Sequence, residues 1–378
     1  MALSASYWTG MLLVVLAAAG CVFEIVAAVL LLRFFGRQPA RSTDTAGATL
    51  LKPLHGAEPR LRQNLASFLV QNYGGPVQMV CGVADRSDAA TAVAEQLRQD
   101  YPDRDIVLVA NSDRSPANGK IANLANMLPA ARHRVLVLSD SDMAVAPDYL
   151  STITEALAQP GVGAVTCPYR GRADAGLWSQ LSAGGISYVA LPGVILGYVT
   201  GMARPCMGST IALTRETLHA IGGFERFADV LADDYAIGQA VAGTGQSVVL
   251  APVLLVHGCA ERSFAALWRQ KLRWAATIRS IAPMRHLAST VTYPLPLALL
   301  AAAFVPAVGL PLAAASLVIR IALAAAVDRR AQEPSAPYWL IPAIECIEFL
   351  AFTGSFVARK IDWRGSRLTM RHDGRIAA

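Results

Sequence analysis

Four groups of polar side chains in this 378-residue sequence are spaced so that together they could do chemistry. They are Asp85 in GVADRSDAA, Asp140 and Asp142 in LSDSDMAV, Asp234 in LADDYAIG, and Gln270, Arg273 and Trp274 in RQKLRWAA. Two acids at positions i and i+2 can face one divalent cation, or a ribose and a cation, because carboxylate oxygens suit magnesium or manganese. The set therefore predicts a metal site with oxygen ligands and a further carboxylate that is not a metal ligand.

This combination suits the transfer of a sugar away from a nucleoside diphosphate. The diphosphate gains negative charge as the sugar leaves, and a cation held by Asp140 and Asp142 offsets that charge. A separate carboxylate must take the proton of the acceptor hydroxyl, and Asp234 lies far enough along the chain to be that base. Arg273 can add positive charge near the diphosphate, and Trp274 can stack on a sugar ring or wall the acceptor site.

Each motif alone also has a purely structural explanation. Most isolated Asp-x-Asp sequences are solvated turns, and the Asp233–Asp234 pair could cap a helix that starts near Tyr235. Gln270 and Trp274 could form one face of an ordinary helix. The complete series in this order, between apolar segments at both ends of the chain, favours the catalytic interpretation.

The elements that must position these residues alternate between apolar strands and helices. Strands are predicted at 48–53, 77–83, 106–110, 134–138 and 162–166, and helices at 61–71, 91–99, 119–127 and 151–158. Continuous apolar strands that alternate with helices predict an α/β fold, with a mostly parallel sheet covered on both faces. Ligands of such sheets bind at the carboxyl ends of the strands, which is where Asp85, Asp140 and Asp142 fall.

The composition requires part of the chain to lie in lipid. The sequence is 54% hydrophobic and 16% charged, whereas soluble domains carry about 45–50% apolar and about 25% charged residues. A single water-soluble globule and an intrinsically disordered chain are both excluded. The net charge of +6 comes without a nucleic-acid-binding motif, so it favours basic residues beside membrane segments and no nucleic acid partner.

The apolar segments predict five regions along the chain. They are an N-terminal transmembrane anchor at 1–37, a linker at 38–48, a cytosolic catalytic domain at 49–285, a transmembrane or re-entrant region at 286–358 and a basic cytosolic tail at 359–378. The segment 11–32 is long enough to span a bilayer, which needs about 20 residues. Within the C-terminal region, 290–308, 310–327 and 338–358 are candidates for two crossings and one re-entrant or interfacial piece. Glu24 interrupts the segment 11–32, and an acid inside a span can mark a functional site, but we expect Glu24 to face another helix or to be protonated.

The six cysteines are scattered without a CxxC pair, so no disulfide framework or zinc site is predicted and a reducing cytosol fits. Abundant arginine and alanine are typical of a GC-rich bacterial genome. We therefore expect a multi-pass protein of the bacterial inner membrane, with its catalytic domain in the cytoplasm. Arg262, Arg269, Lys271 and Arg279 could touch anionic lipid headgroups or could form solvated helix faces.

The motifs resemble those of a known family. From LLKPLHGAEPRLRQNLASFLVQNY through GVADRSDAA, NGKIANL, LSDSDMAV, MGSTIALTRETLHAIGGF, LADDYAIG and RQKLRW to IDWRGSRLTMR, the chain is similar to inverting, family 2-like glycosyltransferases of the GT-A fold. Within them it looks like the ceramide glucosyltransferase group and its bacterial hopanoid-associated relatives. The animal ceramide enzymes lack the second acid of the Asp-x-Asp motif, which this chain keeps as Asp142.

The resemblance implies a role for each matching residue. Asp85 would contact the uridine base and Lys120 the nucleotide part of the donor, while Asp140 and Asp142 would hold the diphosphate and a divalent Mg²⁺ or Mn²⁺. Asp234 would be the general base. Gln270, Arg273 and Trp274 would lie over the diphosphate and acceptor pocket, and Met207, Gly208, Ser209 and Thr210 would line the sugar site.

The resemblance also implies the reaction. The protein would be a membrane-bound enzyme that moves one sugar from a UDP-sugar to a lipid hydroxyl, with N-acetylglucosamine and a hopanoid such as bacteriohopanetetrol as the leading pair. A bacterial ceramide glucosyltransferase that uses UDP-glucose is the alternative. A processive polysaccharide synthase and a non-catalytic protein that binds UDP-sugar or lipid are further alternatives. Three C-terminal candidate spans are few for the channel that a synthase needs.

Overall fold

The computed structural model describes residues 5–36, 46–111 and 118–358, and the backbone of short strands beyond them. These residues form two compact units. The sheet unit comprises 46–111, 118–169 and 201–260, and the helical unit comprises 5–36, 170–200, 261–358 and the C-terminal strands. Most of the linker predicted at 38–48, and the side chains of the predicted basic tail at 359–378, lie outside the described residues.

The helices and strands are numbered in chain order. The helices are α1 (Ala5–Phe35), α2 (Leu61–Leu69), α3 (Ala89–Asp100), α4 (Gly119–Met127), α5 (Tyr149–Ala158), α6 (Leu177–Gly184), α7 (Leu191–Val199), α8 (Arg215–Ala220), α9 (Asp233–Gly243), α10 (Phe264–Ile281), α11 (Pro283–Ala288), α12 (Pro294–Ala302), α13 (Pro306–Ala331) and α14 (Ile341–Ser355). The strands are β1 (Ala48–Pro53), β2 (Val77–Val83), β3 (Asp105–Ala110), β4 (Val135–Leu138), β5 (Met143–Ala144), β6 (Val162–Thr166), β7 (Tyr169–Ala173), β8 (Ile211–Thr214), β9 (Ser247–Leu250), β10 (Leu255–Cys259), β11 (Lys360–Trp363), β12 (Ser366–Met370) and β13 (Ile376–Ala377).

The sheet unit is built on a seven-stranded sheet of order β3-β2-β1-β4-β8-β6-β9. Strand β8 runs antiparallel to β4 and β6, and the other neighbouring strands are parallel. The chain passes from β1 outward to β2 and β3 and returns to place β4 on the other side of β1. The carboxyl ends of β1 and β4 therefore meet where the strand order reverses, which is where open α/β sheets bind ligands.

Alternate residues of the central strands fill two separate cores. In β4, Val135 and Val137 join one buried cluster, whereas Leu136 and Leu138 join the other. The first cluster is closed by residues of α2, α3 and α5, and the second by residues of α4, α8 and α9. A strand that is apolar at every position fits this arrangement, because both faces of the sheet are covered.

The predicted α/β fold with a mostly parallel sheet is confirmed. The strands predicted at 48–53, 77–83 and 162–166 and the helix predicted at 119–127 have the observed bounds. Strand β8 was not predicted. It has four residues and follows a glycine-containing loop, so its apolar pattern is too short to stand out.

Three helical segments of the helical unit are long and apolar enough to cross a membrane, within the ranges that the structure describes. They are Ala5–Phe35, Leu177–Val199 and Pro306–Ala331. The second runs from α6 through a π-helical segment, Gly185–Ala190, into α7. It was not predicted as a span, and most of it is buried inside the unit. By length and composition, these helices indicate a membrane protein.

The C-terminal region differs from the prediction of three comparable candidates. Only 310–327 falls inside a long helix, α13, whereas α12 has nine residues and α14 has fifteen. Prolines account for this division, because Pro294 and Pro306 each begin a helix, where a missing N–H costs nothing. The segment predicted as one catalytic domain, 49–285, is also divided, since 170–200 and 261–285 belong to the helical unit.

A buried arginine joins three helices of this unit. Arg320 of α13 lies 2.6 Å from Glu24 Oε1 of α1 and 2.8 Å from Glu345 Oε1 of α14, and all three side chains are buried. Arg320 also donates to the carbonyls of Tyr188 and Thr292. Glu24 therefore faces another helix, as expected, and its charge has a partner, which a charge inside an apolar bundle requires.

Close packing of α1 makes a testable demand on Gly20. A β-carbon at Gly20 would lie 2.4 Å from the carbonyl oxygen of Val291 and 2.9 Å from Pro294 Cβ. We expect Gly20→Ala to destabilise the protein by about 1–3 kcal/mol, because overpacking forces backbone to move. The measurement is thermal unfolding in detergent.

Gly193 of α7 provides the matched control, because Phe23 Cζ, at 3.9 Å, is the only atom of the described part of the chain that a β-carbon there would meet. We expect Gly193→Ala to leave the melting temperature unchanged or slightly higher, since alanine favours helix. Equal melting temperatures for the two variants would contradict the packing of α1 against Val291 and Pro294.

Candidate active site

The loop after β4 carries two acids that point to different partners. Asp140 Oδ1 lies 2.6 Å from Lys120 Nζ, and Asp142 Oδ2 lies 3.2 Å from His257 Nε2. Strand β4 ends at Leu138, so both acids lie just beyond the carboxyl end of the sheet, where the sequence predicts them. Each acid is thus held by one basic side chain, and about a third of each side chain remains exposed.

Lys120 is brought to the acids by the start of α4. The Asn118 side chain caps this helix by accepting from the Lys120 backbone N–H, and it donates to the carbonyl of Val230. The cap fixes the first turn of α4. From there the Lys120 ammonium reaches Asp140 and lies 3.8 Å from Asp233.

Gly208 marks the point at which three of the predicted residues meet. A β-carbon at Gly208 would lie 2.9 Å from Lys120 Nζ, 3.3 Å from Asp140 Oδ2 and 3.5 Å from Asp234 Oδ2. These residues come from distant parts of the sequence, and the sheet topology alone brings them together. The missing side chain keeps the point between them clear. Of the predicted sugar-site residues, Gly208 is therefore the one whose place beside the charged groups is defined.

The Asp233–Asp234 pair begins α9 and is held by backbone groups. Asp234 accepts hydrogen bonds from the N–H of Gly208 on Oδ2 and from the N–H of Tyr235 on Oδ1. Burial raises the pKa of Asp234, although Lys120 and the two N–H groups oppose the rise. Burial likewise raises the pKa of Asp233 to about 6, against the charge of Lys120. A carboxylate with a raised pKa is a better proton acceptor near neutral pH.

His257 is a site residue that the sequence analysis missed. It lies on β10, which pairs antiparallel with β5 directly after Asp142. Its Nδ1 is 3.7 Å from Cys259 Sγ, and its ring stacks on Tyr169 at 5.6 Å between centroids. Burial would lower the pKa of His257, but the Asp142 carboxylate outweighs it and raises that pKa well above the usual value. A lone histidine in an apolar run gave no signal of this pairing.

Lys52 is the second residue that was missed. It is the next-to-last residue of β1, has a fully buried side chain and donates to Ser139 Oγ at 3.1 Å and to the carbonyl of Asp140 at 2.8 Å. Its ammonium also lies 3.5 Å from the centre of the Phe68 ring. Burial lowers the pKa of Lys52 to about 7, against the attraction of nearby acids. A lysine inside a strand that is otherwise buried and apolar was the available signal.

Asp85 lies two residues beyond β2 and is exposed. Its Oδ1 accepts from the backbone N–H of Ser87 at 2.8 Å, which makes a local turn at the carboxyl end of the strand. This position is at the predicted edge of the sheet. The contact of Asp85 with a uridine base stays a prediction.

Gln270, Arg273 and Trp274 lie on α10 of the helical unit and are partly buried. Their predicted place over a diphosphate and acceptor pocket stays a prediction. Two of the four basic residues considered for lipid headgroups bind within the protein instead. Lys271 pairs with Glu348, and Arg279 donates to the carbonyls of Phe356 and Ala358, while Arg262 and Arg269 are exposed.

With the site described, comparison with known proteins places the chain in a family. The family described as Glycosyl transferase family 21 matches residues 12–376. The chain belongs to glycosyl transferase family 21. It is 24% identical over 284 residues to ceramide glucosyltransferase 1 of Caenorhabditis elegans, which covers 72% of this chain and 59% of that protein. Ceramide glucosyltransferase 3 of the same organism is 23% identical over 233 residues, covering 60% of this chain and 50% of that protein. The chain thus spans between half and three fifths of the length of these relatives.

A solved structure supports the fold. The chain superposes on a mannosyltransferase of Pyrobaculum calidifontis, solved with GDP-mannose and Mn²⁺, with a TM-score of 0.53 at 20% identity. The match covers 92% of this chain and 99% of the other. The GT-A fold predicted from the sequence is confirmed.

The acids after β4 fit a divalent cation. Asp142 Oδ1 is buried and accepts no hydrogen bond from any described group, although the other oxygen of Asp142 faces His257. A buried anionic oxygen without a donor is stabilised by a cation. No three ligand-type side chains surround one point among the residues that the structure describes. A cation held by Asp140 and Asp142 would therefore need further oxygens, and a diphosphate offers them.

Gly208 provides a test of the site. We expect Gly208→Ala to weaken UDP binding in the presence of Mn²⁺ by at least about tenfold, or about 1.4 kcal/mol, because its methyl group would enter the space between Lys120, Asp140 and Asp234. The fold should persist, since the nearest atom is the mobile end of a lysine. Isothermal titration calorimetry and thermal unfolding measure the two effects.

Gly119, next to Lys120, is the matched control, because a β-carbon there meets no atom of the described residues within 4 Å. Gly119→Ala should bind UDP as the unmodified protein does. Undiminished UDP binding by Gly208→Ala would show that the nucleotide binds elsewhere.

Proposed function

We propose that this protein is a membrane-bound inverting glycosyltransferase that moves one sugar from a UDP-sugar to the hydroxyl of a membrane lipid. The observation that carries the proposal is the meeting of Lys120, Asp140 and Asp234 around Gly208, at the carboxyl end of the sheet. Membership of glycosyl transferase family 21 supports the same class of reaction.

The donor end of the site is rich in groups that suit a diphosphate. Lys120 supplies a positive charge beside Asp140, and Asp140 with Asp142 would hold Mg²⁺ or Mn²⁺. When bound, the cation offsets the negative charge of the departing UDP. Lys52 holds the carbonyl of Asp140 from beneath and so orients the loop that carries both acids. Asp85, at the end of the neighbouring strand β2, is the proposed contact for uridine.

Asp234 is the proposed general base. Its two oxygens accept from the backbone N–H groups of Gly208 and Tyr235, which fix the carboxylate but leave lone pairs free. Burial raises the pKa of Asp234, which suits removal of a proton from a hydroxyl. The acceptor oxygen would attack the anomeric carbon in line with the departing UDP, and an α-linked donor would give a β-glycoside. Gln270, Arg273 and Trp274 would line the acceptor side, and Met207–Thr210 the sugar.

Three helices that could cross a membrane support a lipid acceptor. A lipid hydroxyl is available only at the bilayer surface, so an enzyme that uses it must be held there. We propose a multi-pass protein of a bacterial inner membrane with the sheet unit in the cytoplasm, beside an anionic lipid surface. The exposed Arg262 and Arg269 are candidates for contact with that surface.

The leading substrate pair is UDP-N-acetylglucosamine and a polyhydroxylated hopanoid such as bacteriohopanetetrol. The GVAD and LADDYAIG sequences look more like those of the hopanoid-associated members of the group, and this likeness, together with Asp142, supports this pair. Ceramide with UDP-glucose is the second candidate, and the named relatives from Caenorhabditis elegans favour it. Both candidates need one addition of one sugar to one lipid.

The proposal is tested by mixing membranes that contain the protein with labelled UDP-sugars and with hopanoid or ceramide lipids, followed by mass spectrometry. One added N-acetylhexosamine on the hopanoid supports the leading pair, and one hexose on ceramide supports the second. A ladder of many sugars would indicate a polymer synthase. No transfer from any donor, with UDP-sugar still bound, would indicate a protein that only binds.

The role of Asp234 makes a quantitative prediction. We expect Asp234→Asn to lower turnover by about 10²–10⁴-fold, the usual contribution of a general base, because an amide cannot take the proton. UDP binding should change much less than turnover, since the amide oxygen keeps one of the two backbone hydrogen bonds and the substitution leaves Lys120 and Asp140 unaltered. Initial rates and calorimetric titration with UDP measure the two effects.

Asp229→Asn is the control, because Asp229 is an exposed acid on the loop before α9. It should turn over normally. Normal turnover by Asp234→Asn would assign the base to another group, and a joint loss of UDP binding and turnover would make Asp234 a donor-binding residue.

A further inference from the structure

A buried ion pair joins α14 to α10, the helix that carries Gln270, Arg273 and Trp274. Lys271 of α10 lies 2.6 Å from Glu348 Oε1 of α14, and the side chains are 3% and 17% exposed. That oxygen accepts no hydrogen bond from another described group. Lys271 is therefore its counterion. Burying both charges is costly, and such pairs often add little to stability, so stability alone does not account for this pair.

Lys271 also interacts with Ser182 and Trp274, and Ser182 binds Gln270. Its ammonium donates to the carbonyl of Ser182 at 3.2 Å and lies 5.6 Å from the centre of the Trp274 ring. A lysine at that distance from an aromatic ring is attracted to its face. Ser182 Oγ in turn donates to Gln270 Oε1 at 2.9 Å. One lysine thus connects to Trp274 directly and to Gln270 through Ser182.

The neighbouring backbone is shaped to admit the pair. Gly185 begins the π-helical segment, and a β-carbon there would lie 1.9 Å from Glu348 Oε1 and 2.7 Å from Lys271 Nζ. The adjacent Gly184 would similarly meet Ile344 Cδ1 at 2.3 Å. π-Helical turns are rare and occur frequently at functional sites. These two glycines let α14 approach α6 closely enough for Glu348 to reach Lys271.

Glu348 is also tied to the rest of the apolar bundle through its own helix. Glu345 lies one turn earlier on α14 and pairs with Arg320, which in turn reaches Glu24 of α1. Glu345 therefore joins α14 to α13, and Glu348, one turn later, joins α14 to α10. This explains why an apolar segment keeps both acids.

We propose that the Lys271–Glu348 pair is a positioning device that fixes Gln270 and Trp274, and thereby governs how well the enzyme uses its lipid acceptor. This inference rests on the proposed function, in which Gln270 and Trp274 line the acceptor side of the site. The pair acts through its neighbours and does not touch the reacting atoms. Its loss should therefore impair acceptor use and spare donor binding.

The decisive variant is the double substitution Lys271→Met with Glu348→Gln. Removing both charges together leaves no buried ion unpaired, so the protein should fold. We expect kcat/KM for the lipid acceptor to fall at least about tenfold, because small misplacements of positioning groups cost that much or more. The KM for the UDP-sugar and the melting temperature in detergent should stay close to those of the unmodified enzyme.

Arg285→Met is the matched control, since it removes an exposed basic residue from α11, the helix that follows α10. It should leave kcat/KM for the acceptor unchanged. The inference is overturned if the double variant uses the acceptor normally, or if the donor and acceptor constants worsen together in step with unfolding. An unmodified enzyme without lipid-dependent turnover would overturn the proposed function, and this inference with it, whereas normal turnover by both enzymes would overturn this inference alone.

Discussion

The structure of the sheet unit depends on how it accommodates negative charge at one edge of the sheet. Asp140 and Asp234 approach the same point beside Gly208, and Asp142 lies two residues after Asp140, at an edge that is only partly exposed to water. Like charges there raise one another's energy. Lys120 pairs with Asp140, and His257 pairs with Asp142. Because Gly208 has no side chain, the space between Lys120, Asp140 and Asp234 stays open. Such a site is best stabilised by a ligand that brings a cation of its own, which is what a metal-bound nucleoside diphosphate does.

The helical unit meets a related constraint in an apolar setting. An unpaired charge inside such a bundle is costly, and three of its glutamates have a basic partner. Glu24 and Glu345 share Arg320, and Glu348 has Lys271. The acids in apolar segments therefore mark the places where helices are joined. They also link the N-terminal helix, through α13 and α14, to the helix that bears the Gln-x-x-Arg-Trp motif.

The sequence predicted the sheet and much of the charged site because both depend on regular patterns. Apolar strands followed at once by acids identify the carboxyl edge of a parallel sheet, and Asp140 lies there as expected. His257 and Lys52 were missed, because their roles arise from pairing between segments far apart in the sequence. The 177–199 helix was missed as a candidate span for a similar reason. Its apolar residues serve for burial inside the unit as well as for contact with lipid, and composition does not separate these uses.

The central claim is that Asp140 and Asp142 hold the metal of the donor, with its diphosphate beside Lys120 and Gly208. It is tested most directly by locating manganese through its anomalous scattering in crystals of the protein grown with UDP and Mn²⁺. The account predicts a single strong peak bonded to Asp140 and Asp142, with the diphosphate beside Lys120 and Gly208. Manganese bound away from both acids, or UDP bound at another edge of the sheet, would contradict it.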